Sequence, residues 1–169
     1  MALARDLLDE AKTLAKLEAS RGRPRQASLR RAVSTAYYAV FHLFASEAAL
    51  QACSPTPRGL HERVQRALTH ETMRQATAAF SGGKLPSHVE TLICTPLEGE
   101  VVEISRIFVQ LQEFRHKADY DTSERFNKQM VQNLVKDAET LFDLWRQIRE
   151  IDNAHVFLSS LVFWKLWSR

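Results

Sequence analysis

Residues 123–151 carry Phe126, Met130, Val131, Leu134, Val135, Ala138, Leu141, Phe142, Trp145 and Ile148 at three- and four-residue spacing, with charged residues between them. A stripe of that period and length makes one face of a long helix and fits no strand. Such a helix is stable only against partners of comparable length, which narrows the chain to a helical bundle. Only five glycines and five prolines occur among 169 residues, too few for a turn-rich β fold.

Three other segments repeat the period. Residues 2–19 carry Leu3, Leu7, Leu8, Ala11, Leu14, Ala15 and Leu17. Residues 26–52 carry Leu29, Val33, Ala36, Tyr37, Val40 and Phe44, with Ser28 placed to cap the start. Residues 97–120 carry Val101, Ile104, Phe108, Leu111 and Ala118. Shorter helices are expected over 58–68, 71–80 and 87–95, and Asp121 or Thr122 is expected to cap the helix from 123. Breaks fall at the basic loop 20–25, at Ser54-Pro55-Thr56-Pro57, and at the Ser81–Pro86 loop. The Gly82-Gly83-Lys84 within the last has neither the glycine spacing nor the preceding strand of a phosphate loop. Residues 154–167 are apolar nearly all round and too short to span a bilayer. The expected fold is therefore all-α. A single up-and-down bundle of four to five long helices plus short ones covers residues 1–152. Residues 153–169 form an apolar helix that packs on the bundle or on a partner.

Charged residues make up 25% of the chain and the net charge is +3, a mildly basic balance that suits a nucleic-acid partner without requiring one. Cys53 and Cys94 form no CxxC pair and read as reduced thiols. The N-terminal residues lack the basic start and apolar core of a signal peptide. A cytoplasmic protein with no membrane association, no metal site and no cofactor is expected. His61 and His70 flank the 58–68 segment and read as surface groups.

Two stretches carry chemistry. On the second helix Arg31, Thr35, Tyr38 and His42 form a polar, partly aromatic line beside the core stripe, at spacings of four, three and four. Such a face lines a cleft or meets a partner, or is simply solvated with its tips in water. The other stretch is Arg115-His116-Lys117-Ala118-Asp119-Tyr120, closing the 97–120 segment. Arg115 falls on the packing stripe, four after Leu111, where an arginine needs a partner. Asp119, one turn on, is the nearest one.

Arg31 to His42 and Arg115 to Tyr120, in that order and at that distance, resemble the HEPN superfamily. The closer likeness is to its small stand-alone bacterial and archaeal members, with a Ser-x-x-Tyr-Tyr-Ala-x-Phe-His helix and an Arg-x-x-Ala-Asp-Tyr corner. The likeness covers about residues 1–150; residues 71–95 and the tail after Ile151 look like additions. It implies a homodimer with the arginine corners near the two-fold axis. It also implies metal-independent ribonuclease chemistry, and a place in toxin–antitoxin or defence systems beside a nucleotidyltransferase-type antitoxin. In that chemistry a histidine moves the 2′-hydroxyl proton and an arginine fork neutralises the phosphate.

Arg115 matches the motif arginine and His116 the polar position after it, but Tyr120 stands where the motif has histidine. Tyrosine keeps its proton at neutral pH and so donates hydrogen bonds rather than taking protons. The expected function is a dimeric HEPN-type protein with a degenerate Arg-x4-Tyr site that binds RNA or nucleotide phosphate. Arg115, His116, Asp119 and Tyr120 would form the reactive corner, and Arg31, Tyr38 and His42 would hold phosphate or RNA. Arg21, Arg23, Arg25 and Arg30 would add positive potential. One alternative is an active ribonuclease using Arg115 with His116 or His42; another is a non-catalytic protein-interaction module.

Overall fold

The structure, a computed structural model, describes residues 2–17, 25–53, 58–82 and 85–167. Eight helices are present among them. Five are long: α1 (Ala2–Leu17), α2 (Gln26–Cys53), α6 (Gly99–Tyr120), α7 (Lys128–Ile148) and α8 (Asp152–Trp167). Three are short: α3 (Arg58–Ala67), α4 (His70–Phe80) and the single turn α5 (Ser87–Glu90). There is no strand among the described residues, and none of their helices is long and apolar enough to cross a membrane. The expected all-α bundle is what forms.

α2 is the central element, packed by α1, α3, α6, α7 and α8. Its burial runs almost all round, from Leu29 to Ala49, as expected of a helix surrounded by others. Alanines at 32, 36, 39, 45, 48 and 49 are buried in it and let neighbours approach closely. α1 answers with Ala4, Leu8, Ala11 and Ala15 at three- and four-residue steps. Deeper in, the fully buried Phe44 meets Phe108 of α6, Trp145 of α7 and Phe157 of α8 at ring distances of 5.8, 5.4 and 5.3 Å. Phe157, Leu158 and Leu161 bury one side of α8 against this centre, while Phe163 and Leu166 near its end stay exposed.

Local chemistry moves several helix ends from their expected places. α7 starts at Lys128, five residues later than the apolar period suggests. Its cap is Asn127, whose side-chain oxygen accepts from the Met130 N–H at 2.9 Å. Asp121 does not cap the start of α7 but ends α6, its N–H donating to the Lys117 carbonyl, and its carboxylate accepts from the Ser123 and Glu124 backbone N–H groups and from the Ser123 hydroxyl, which closes a turn. α2 begins at Gln26, so Ser28 lies inside it. α5 stops at Glu90 and α6 starts at Gly99. Between them the buried Asn153 amide donates to the Cys94 carbonyl and the Glu98 carboxylate and accepts from the Cys94 N–H. The breaks expected at 20–24 and 54–57, and Gly83-Lys84, lie outside the described residues, as do Arg21 and Arg23. Gly82 sits at φ 111°, a conformation that favours glycine.

Candidate functional site

The last turn of α6 comes against the first half of α2, and the join is built largely from polar groups of α2. Gln26 clamps the loop after α6 by donating to the Phe126 carbonyl at 2.7 Å and accepting from its N–H at 3.0 Å. One turn on, the Arg30 guanidinium donates to the carbonyls of Ala118 and Lys117 and, through its other nitrogen, to those of Asp121 and Glu124. The carbonyls that end a helix have no partner within it and carry its negative pole, so a cation there is doubly suited. Arg30 is thus the bolt of the corner, with its guanidinium 5.5 Å from the Phe126 ring. Its donors are spent on backbone, so the positive potential expected of it comes from its charge and not from free N–H groups.

Beside this bolt lies an open hollow of about 810 Å³ between α1, α2 and α6. Arg31, Tyr38 and His42 of α2 line it together with Arg115, Asp119 and Tyr120 of α6. Six of the seven residues singled out in the sequence therefore meet in one place. His116 is the exception: it faces a second hollow of about 450 Å³ on the other side of the α6 end, between α6 and α4.

Arg115 is the most constrained group in the hollow. Its side chain keeps 12% of its accessible surface. One terminal nitrogen donates to the Tyr38 hydroxyl at 2.7 Å. Nε lies 2.7 Å from Asp119 Oδ2 but does not aim its hydrogen at it, so this is a close ionic contact rather than a directed bond. The guanidinium carbon is 5.3 Å from the Tyr38 ring, 5.6 Å from that of Tyr120 and 5.8 Å from that of Tyr37. Burial works against its charge, but the Tyr38 bond and the neighbouring Asp119 and Tyr120 outweigh that and raise its pKa. Asp119 is held from its other side by the Ser34 hydroxyl. The second terminal nitrogen of Arg115 donates to no described residue. It is a fixed, charged donor with one arm uncommitted.

The other groups complete a binding surface. Arg31 is exposed and has no ion-pair partner among the described residues. Counting Arg30, the hollow has three cations against the one carboxylate of Asp119. Tyr120 is 64% exposed at the rim. Burial lowers the His42 pKa, which favours its neutral form.

Two groups behind the hollow escaped the sequence reading. Tyr37 is fully buried, and its hydroxyl is 2.8 Å from His70 Nδ1. Burial pushes the Tyr37 pKa up, Arg115 opposing. His70 is no surface group: its ring centre lies 4.4 Å from that of Phe41. Its pKa is held low by burial first, then by Arg115 and His42. The sequence does place Tyr37 on the core stripe, which requires a partner for its hydroxyl. Nothing in the sequence indicates that the partner comes from α4.

The lowered pKa values of His42 and His70 fix the sign of a pH effect. Below about pH 6.5 the unfolded chain takes up these protons before the folded one does. The stability they contribute is full above that pH and falls as pH drops toward the lower native values. The melting temperature is expected to fall by a few degrees between pH 7.5 and 5.5, above the range where most carboxylates titrate. His70→Asn, which keeps an acceptor for Tyr37, should flatten the fall. A parent profile already flat over that range would refute it.

Among the described residues no group of three or more His, Cys, Asp or Glu side chains gathers as a metal site would require. No family model, no curated protein and no solved structure matches the chain.

Proposed function

We propose that the hollow between α2 and the end of α6 binds the phosphate of RNA. In this reading the protein is a HEPN-type dimer of a prokaryotic toxin–antitoxin or defence system. The observation that carries the proposal is the Arg115 guanidinium, held by Tyr38 and Asp119, beside the exposed Arg31; among the described residues one donor arm of Arg115 is uncommitted and Arg31 has no ion-pair partner. A planar cation fixed before its ligand arrives loses little entropy on binding, and its fork matches a phosphate. A nucleotidyltransferase-type antitoxin is its protein partner in this reading.

Fluorescence anisotropy with a labelled single-stranded RNA, across a salt series, tests the binding. Affinity should fall steeply with salt, and Arg31→Ala should lower the log–log slope by about 0.7, the share of one phosphate contact on a single strand. Salt-independent binding, or none, overturns the reading.

One observation favours a catalytic version. His42 lies in the same hollow as Arg115, and burial lowers its pKa, which favours the neutral form a base needs to take a 2′-hydroxyl proton. RNA cleavage in EDTA, lost in His42→Ala with RNA binding retained, would establish it. Intact RNA after prolonged incubation with folded protein would leave the binding module.

A further inference from the structure

Arg115 lines both hollows, and among the described residues it alone does. The end of α6 is therefore a ridge between them. Ala118, Asp119 and Tyr120 face the hollow on the α2 side; Gln112, His116 and Lys117 face the one on the α4 side. On the crest, Tyr120 and His116 are one turn apart, both exposed, with ring centres 5.1 Å apart. The Arg115 guanidinium lies 5.6 Å from the Tyr120 ring. Two exposed rings and a cation thus lead across the ridge from one hollow to the other.

Resting on the phosphate reading above, we infer that the ligand is a single-stranded polynucleotide that crosses the end of α6, stacking bases on Tyr120 and His116 on either side of a phosphate held by Arg115. Three features select that ligand class. Base–ring stacking requires open base faces, which a duplex hides. A mononucleotide fills one hollow and leaves the other ring unused. The far hollow sets Arg74, Lys117 and Arg115 against Glu71 and Glu113, and Glu71 is already bonded by Arg74 and Gln75. That near-balance suits a base and sugar better than a second phosphate. His116 is then a stacking residue rather than a base. The plainer role for the ring pair is support of the helix end, worth only a few tenths of a kcal/mol.

The experiment compares an octaribonucleotide, its duplex and a nucleoside monophosphate on the whole protein by competition anisotropy. The single strand should bind at least about tenfold tighter than the monophosphate and the duplex. His116→Ala should cut the ratio of single-strand to monophosphate affinity by about tenfold, and His116→Phe should restore it. Because His116 is exposed, its melting temperature should barely move. An unchanged ratio in His116→Ala, or equal affinity for duplex and single strand, overturns the inference while leaving the phosphate reading standing. Indifference of every ligand to Arg115→Ala overturns the phosphate reading itself.

Discussion

Arg115→Ala is expected to weaken RNA binding by about a hundredfold or more while leaving the fold intact. A hydrogen bond to a charged group contributes about 1.5–3 kcal/mol, and the guanidinium offers a fork as well as a charge, so a loss of roughly 3 kcal/mol follows. The same change removes the Tyr38 bond and the Asp119 contact, at a stability cost of about 1–2 kcal/mol. Asp119 keeps its Ser34 bond and its side chain is 27% accessible, so it can rehydrate. Melting curves should therefore shift by only a few degrees. Arg115→Lys is the sharper variant. It restores the charge, but an ammonium is a compact point charge with no planar fork to hold Tyr38, Asp119 and a phosphate at once. It should recover no more than about tenfold of the loss. Full recovery by lysine would mean that charge alone matters and that the locked guanidinium geometry does not.

Tyr38→Phe probes that lock separately. It deletes the hydroxyl that accepts from Arg115 and keeps the ring beside it. If Tyr38 works through Arg115, its effect on binding should vanish in the Arg115→Ala background. Additive effects would mean that Tyr38 meets RNA on its own.

Legibility of the fold and the site followed from how local the determinants were. The long helices are readable because their period is continuous: Val131 to Ile148 in α7 bury the side that spacing alone assigns, whereas in α1 the buried line runs Ala4, Leu8, Ala11 and Ala15 and Leu3, at the head of the expected stripe, is 55% exposed. The start of α7 is not legible because Phe126, buried as if helical, is held by Gln26 from a hundred residues away rather than by an intrahelical period. The Arg115–Asp119 pair was readable at one-turn spacing. The convergence of Arg31, Tyr38 and His42 on Arg115 was expected only through the family likeness, since no periodicity says which face of α2 meets α6. The place of His70 is not legible because its partners, Tyr37 and Phe41, lie on another helix. The sequence sets Arg31 apart on the polar line of α2, but it cannot show that Arg30 beside it points at four carbonyls.

That distinction gives the other large effect. Arg30→Ala is expected to destabilise the protein by about 2–4 kcal/mol, whereas Arg31→Ala should change stability by less than about 0.5 kcal/mol. Arg30 bonds the carbonyls of Lys117, Ala118, Asp121 and Glu124, the groups that end α6 and begin the turn to α7. Without it the half-buried carbonyls lose charged donors, and water reaches only those at the surface. Arg30→Lys should recover less than half of the loss, because a single ammonium cannot serve two pairs of carbonyls through separate nitrogens. The functional consequence should exceed the stability loss. Asp119 and Tyr120 sit in the turn that Arg30 holds, and Asp119 fixes Arg115. A frayed α6 end frees the guanidinium, and RNA affinity should fall even at temperatures where Arg30→Ala is fully folded. Amide exchange at residues 118–124, faster in Arg30→Ala than in Arg31→Ala, would locate the loosening. Equal melting temperatures for the two variants would show that the four carbonyl bonds contribute nothing net, and that the corner is held by packing of Phe126 and Ala118 alone.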